Sequence, residues 1–232
     1  VSEELVSRFP IDRVRFTNSG GETNLYATRM ARRYTGKDKI VKIEGAYHGV
    51  PDSLHVSKAP PKGKIGPPER PTPLPYGDGI PDKTAENTLV APFNDLDVMG
   101  EILEEHRGEV AAVIVEPIMM NSGVIAADPE YLEGLRKLTR EQNVLLIFDE
   151  VKTGVKVAPG GAADLYDIDP DIVTLAKAIG GGGRWQRRDH GPDRRRGSLR
   201  NVFGKPDVDH GQRRDPQRNP HRGSIRGTRI AR

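Results

Sequence analysis

The chain has 232 residues, 36 Lys and Arg against 33 Asp and Glu, a formal net charge of +3 and no cysteine. Disulfide and thiolate chemistry are excluded, and the length admits one sizeable domain, or one domain with a tail. The charge is uneven: residues 184–232 hold 14 Arg and one Lys against five Asp, about +10, so residues 1–183 carry about −7. A surface that attracts nucleic acid is thus a property of the tail alone.

No apolar run reaches the roughly 18 residues of a membrane span, and nothing resembles a signal peptide. A cytoplasmic protein is expected. The chain begins at Val1 close to a structured motif, from which a missing N-terminal portion is expected.

In chain order, "NSGGETNLYATRMARRYTG" reads as a glycine turn leading into a helix that Gly36 ends. "KIVKIEGAYHG" follows as a short β-rich run. Residues 58–88, crowded with Pro, Gly and Lys, predict a long surface loop. "NDLDVMGEILEEHRG" has an Asn/Asp cap, apolar positions at Leu96, Met99, Ile102 and Leu103, and Gly108 as its stop. "VAAVIVEP" is a continuous apolar run ended by Pro117, as expected of a strand buried on both faces. "DPEYLEGLRKLTREQN" places Asp128 at the N-cap and Pro129 at N1, with Leu132, Leu135 and Leu138 on one side. "VLLIFDEV" and "DIVTLAKAIGGG" are two further strands. Such alternation predicts an α/β fold with a mostly parallel sheet and helices on both faces.

Ligands of such sheets bind beyond the carboxyl ends of the strands. The polar residues Tyr47, His48, Glu116, Asn121, Asp149, Glu150 and Lys177 fall there. Asp149 ends the most apolar strand, where a carboxylate needs a compensating partner. It is either a cap or structural ion pair, or a counter-ion that keeps a cofactor nitrogen protonated. Lys177 precedes four glycines; it is either a solvated charge or, if desolvated, an amine that condenses with an aldehyde. "NSGGE" before a helix is either a plain turn or a phosphate site made of free amides and a helix dipole. Tyr47 is either an ordinary strand-end tyrosine or a platform for a flat ring. Taken together, a phosphate anchor, a ring platform, an acid for a ring nitrogen and an amine for an aldehyde describe pyridoxal 5′-phosphate.

The stretches "FTNSGGETNLYATRMARRYTGKDKIVKIEGAYHG", "VIVEPIMMNSGVI", "LLIFDEVKTG" and "DIVTLAKAIGGG" resemble the class III aminotransferases, most closely the glutamate-1-semialdehyde 2,1-aminomutase branch, over residues 8–182. The resemblance implies part of the large domain of a fold-type I pyridoxal-phosphate enzyme that transfers an amino group and forms a homodimer. It implies that Lys177 forms the Schiff base and that Asp149 pairs with the pyridinium nitrogen. Val151 and Tyr47 would pack against the two ring faces, and backbone around Ser19, Gly20 and Gly21 would hold the phosphate. Asn121 would reach the ring hydroxyl, with His48 and Glu116 close behind. One departure is Ser-Gly-Gly-Glu-Thr where the family has Ser-Gly-Thr-Glu-Ala, which removes a hydroxyl at Gly21.

Residues 184–232 depart altogether, with eight hydrophobic residues in 49, too few to offset ordering entropy. An Arg-rich nucleic-acid arm on a non-catalytic protein is one reading. The favoured one is an unstructured, out-of-frame stretch, since Arg-rich, Glu-free text is what shifted GC-rich codons give. The division expected is therefore 1–183 and 184–232. The chain as written is expected to bind the cofactor weakly and turn over poorly, with an apolar sheet edge at or beside "DIVTLA".

Overall fold

The computed structural model describes residues 1–61, 63–180 and 182–186. The expected tail, its nucleic-acid reading and its frame reading lie outside them from residue 187 onward. The fold begins with α1 (Ser2–Arg8), β1 (Arg13–Thr17), α2 (Gly20–Thr35) and β2 (Lys39–Ile43). A long connection then leads to α3 (Asp82–Glu86), β3 (Thr88–Ala91), α4 (Leu96–Glu105) and β4 (Val110–Val115). A small hairpin, β5 (Ile118–Met119) and β6 (Ile125–Ala126), precedes α5 (Pro129–Glu141) and β7 (Leu145–Asp149). Last come α6 (Gly161–Leu165), β8 (Ile172–Ala176), a 3-10 turn (Lys177–Ile179) and β9 (Gly182–Gln186).

Seven strands form one sheet in the order β1-β9-β8-β7-β4-β2-β3. The pairs β3–β2, β2–β4, β4–β7 and β7–β8 are parallel, and β9 runs antiparallel to both its neighbours. The expected mostly parallel sheet is therefore present, with the runs at β4, β7 and β8 side by side. The ladder runs through Gln186. One expectation changes. The "DIVTLA" strand is an inner strand, because β9 covers the side away from β7; the edges are β1 and β3.

Strand side chains alternate between faces, and the two faces have separate cores. Val113, Val115, Leu146 and Phe148 pack with Met99, Leu103, Leu132 and Leu135 of α4 and α5. Ala112, Ile114, Leu145, Ile147 and Ile172 pack with Ala27 and Ala31 of α2. Each wholly buried aliphatic or aromatic side chain contributes about 1.5–3 kcal/mol, so these continuous apolar strands hold only if both faces are covered. Helices on both faces are what their composition demands.

The helix ends are set locally. Ser19 caps α2, its hydroxyl accepting from Glu22 N at 3.2 Å, while Glu22 Oε2 accepts from Asn18 N at 2.8 Å. Gly36 closes α2 in the left-handed region, with φ 70°. Asp95 caps α4 through Val98 N at 2.9 Å. Asp128 occupies the cap position of α5 with Pro129 behind it, but its side chain makes no cap bond. Residues 58–88 are mostly irregular as expected, although α3 lies within them and Pro75 bridges to Val56.

Candidate functional site

A cavity of about 440 Å³ opens at the carboxyl ends of the parallel strands. Ser19, Gly20 and Gly21 reach it from the start of α2, and Tyr47 and His48 from the segment after β2. Glu116 and Asn121 come from the connection after β4, Asp149 and Val151 from the end of β7, and Lys177 from the turn after β8. All ten site residues expected from sequence thus line one cavity.

Asp149 is the floor. It is 4% exposed, and its carboxylate is met by three donors. Asn24 Nδ2 donates to Oδ2 at 2.7 Å, His48 Nδ1 lies 2.7 Å from the same oxygen, and Val151 N donates to Oδ1 at 3.0 Å. A carboxylate so buried needs such donors. A carboxylate only accepts, so the tautomer that suits this contact is the one with a proton on His48 Nδ1. His48 Nε2 and Asn24 Oδ1 are buried atoms without a partner among the described residues. Buried polar groups are seldom left so, and these two sit on a pair of side chains that line the cavity.

The facing wall is the segment Ala46–Gly49. Tyr47 N donates to Glu116 Oε1 at 2.9 Å, and His48 O accepts from Asn24 Nδ2 at 3.0 Å. The Lys58 ammonium sits 4.9 Å from the centre of the Tyr47 ring and covers one of its faces. Burial raises the Glu116 carboxyl above the usual carboxylate range, against the opposing pull of His48. Beneath the wall, Lys42 is wholly buried in β2, and its Nζ donates to Ala46 O at 3.1 Å and Val56 O at 2.6 Å. Burial lowers its pKa to about 7.

Backbone approaches closely at two glycines. A Cβ on Gly49 would stand 2.4 Å from Gly21 Cα, and the Gly49 φ of +93° is itself unfavourable for other residues. A Cβ on Gly20 would stand 2.8 Å from Val151, so the valine rests on the helix start. The result is a narrow cradle between α2, the 46–49 segment and Val151.

Lys177 begins the 3-10 turn with φ 50°, a left-handed conformation that is strained for a lysine, and it is exposed at the cavity mouth. Glu150, next to the floor, is wholly buried and turned away from the cavity. It accepts from Ala162 N at 2.5 Å, Ala163 N at 3.0 Å and Thr153 Oγ1 at 3.2 Å, holding the start of α6. Burial raises its pKa to about 7.

Sequence reasoning missed Asn24, Gly49 and Lys152, which also line the cavity. It also missed Lys42 below the wall. For Asn24 a signal existed: an amide one turn into a helix, on the side of Gly20 and Gly21. Lys42 had none, because its acceptors are loop carbonyls.

An open sheet whose strand ends join a helix start, a buried carboxylate and an exposed lysine around one cavity defines a cofactor-type site in an α/β enzyme fold. The chain belongs to the class-III aminotransferase family, whose pattern matches residues 1–187. It is 45% identical over 183 residues to the glutamate-1-semialdehyde 2,1-aminomutase of Methanothermobacter thermautotrophicus and 48% identical over 172 residues to that of Persephonella marina. These matches take in 78% and 74% of this chain but 41% and 39% of the relatives, so the chain spans about two fifths of the length of the curated relatives it matches. Among solved structures, an omega-transaminase from Sphaerobacter thermophilus matches with a TM-score of 0.76 at 36% identity, over 80% of this chain and 43% of that one. A glutamate-1-semialdehyde aminomutase from Pseudomonas aeruginosa matches with a TM-score of 0.72 at 28% identity, over 92% and 44%. A transaminase solved with pyridoxal phosphate bound matches with a TM-score of 0.72 at 34% identity, over 80% and 43%.

Proposed function

We propose that the chain carries the cofactor-binding part of a pyridoxal 5′-phosphate enzyme that transfers an amino group, either between two substrates or between neighbouring carbons of one amino-aldehyde. The observation that carries this reading is the floor: a buried carboxylate held by Asn24, His48 and Val151 N, in one cavity with Lys177. The residues fit the group. The cradle is too tight for a side chain at Gly49 but suits a phosphate against free amides, since the first N–H groups of a helix have no intrahelical acceptor.

When bound, the cofactor supplies an electron sink that makes a carbon next to an amine acidic. Ser19, Gly20 and Gly21 hold the phosphate, and Asp149 holds a protonated ring nitrogen. His48 and Asn24 orient the Asp149 carboxylate for that task through their contacts with Oδ2. Val151 and Tyr47 confine a planar ring, with Lys58 behind Tyr47, and Asn121 donates to the ring oxygen. Glu116 keeps Tyr47 in place through its backbone N–H. Lys177, on the cavity lining, would be the amine that holds the aldehyde, and its Nζ would be the group placed to take and return a proton there. We read the protein as cytoplasmic and acting as a homodimer, with residues 184–232 out of frame, a reading supported by their composition.

Borohydride trapping tests the reading. The purified chain is incubated with pyridoxal 5′-phosphate, reduced and digested. The cofactor mass is expected on the peptide carrying Lys177, and none in Lys177→Ala. Label spread over other lysines at equal yield would sink the proposal.

A further inference from the structure

Lys152 follows Val151 and lines the same cavity, and it and Lys177 are the two ammonium groups among the described residues that do so. Nothing above gives Lys152 a task. It is half-buried, it forms no ion pair among the described residues, and its Nζ donates to Asn121 Oδ1. An ammonium has three donors and no acceptor, so the atom it meets on a carboxamide must be the oxygen. With that oxygen claimed, the polar atoms Asn121 has left for the cavity are its two N–H donors. Without Lys152 the carboxamide could turn over and present its oxygen instead. The Lys152 charge also acts on the buried Glu116 carboxyl, so it is felt within the wall.

We propose that Lys152 is a positioning residue for cofactor binding: by holding Asn121 Oδ1, it makes the cavity wall donor-only at the place where an ionised ring oxygen sits. The inference rests on the cofactor reading above. A carboxamide free to rotate would serve a ring hydroxyl or a ring oxyanion equally well; a pinned one selects the oxyanion.

Equilibrium dialysis of the full chain separates the possibilities, with pyridoxal 5′-phosphate and its analogue lacking the ring hydroxyl as probes. Lys152→Met is expected to weaken the cofactor about tenfold, the loss of roughly one charge-assisted contact. Lys152→Arg, also donor-only, is expected to stay within about twofold. The analogue should not distinguish Lys152→Met from the parent. In an Asn121→Ala background Lys152→Met should add nothing, because the two residues act as one unit. Asn121→Asp keeps the Lys152 contact but removes the donors and adds a negative charge, so it should lose at least as much as Lys152→Met and serves if that variant does not fold. Binding by Lys152→Met as tight as the parent's, or equal weakening of the analogue, would overturn the inference while Lys177 is still trapped. No trapping at Lys177 in the parent would sink the cofactor reading first and this inference with it.

Discussion

Asp149 ends a strand whose ladder is fixed on both sides by β4 and β8, whereas Tyr47 and His48, across the cavity, lie in a segment outside any ladder. The floor is placed by backbone register. The wall is placed mainly by side chains: Lys42 on Ala46 O, Glu116 on Tyr47 N, and Asn24 and Asp149 on His48. Both regions contain a wholly buried charged residue that does not reach the cavity, Glu150 below the floor and Lys42 below the wall. The difference teaches where each half is vulnerable. The floor should yield to loss of its carboxylate, and the wall to changes in the charge that ties it down.

The largest expected effect is on stability against pH. The unfolded Lys42 titrates at 10.5 and the folded one at about 7, so between those values the unfolded chain holds a proton that the folded chain lacks. Stability therefore rises with pH across that window, by at most about 5 kcal/mol. Glu150 titrates at 4.5 unfolded and about 7 folded. There the folded chain holds the extra proton, and stability falls as pH rises, by at most about 3 kcal/mol. Urea midpoints across pH should thus dip near neutrality. Lys42→Met should flatten the alkaline arm and Glu150→Gln the acidic one. A single maximum near pH 7, unmoved by either change, would contradict both assignments.

Next in size is Asp149→Ala. It strands the donors of Asn24, His48 and Val151 in a buried site, and breaking a buried pair in this way costs about 3–5 kcal/mol. Urea unfolding should show that loss, and cofactor trapping at Lys177 should vanish with it. An unchanged midpoint would mean that the floor does not depend on its carboxylate.

The smallest expected effect compares two glycines that touch. Gly49→Ala combines a positive φ with a Cβ 2.4 Å from Gly21 Cα, and should cost about 1–3 kcal/mol. Gly21→Ala meets nothing closer than 3.5 Å and lies in the first turn of a helix, so it should change stability by less than about 0.5 kcal/mol. Thermal unfolding of the two variants side by side would show whether the wall, and not the helix start, is the constrained partner.

Much of this was legible in the sequence, for reasons that separate the same two regions. β4, β7 and β8 are continuous apolar runs closed by polar residues, and a strand end in a parallel sheet has one place to be. Glu116, Asp149 and Lys177 therefore meet because their strands are neighbours. Asn24 could be read as helical but not as a partner of Asp149, because that contact joins residues distant in sequence. Lys42 reads as a charge at the end of a short strand. Only the fold of residues 46–56 supplies the carbonyls that make its burial possible. β9 escaped notice because two of its five residues are glycine and its composition already belongs to the Arg-rich stretch. Its place depends on pairing with β1 and β8, not on any pattern of its own.

That pairing has a consequence for the order of events when the chain is made. β1 emerges early, yet its partner in the sheet is β9, the last described segment to be synthesised. Closing so long a loop is entropically costly, and contacts between distant segments form late. The parallel strands can assemble first around β4, while β1 waits at the side. Ser19, Gly20 and Gly21 follow directly on β1, so the end of the cavity that they build gains the support of β1's ladder when Gly182–Gln186 arrives.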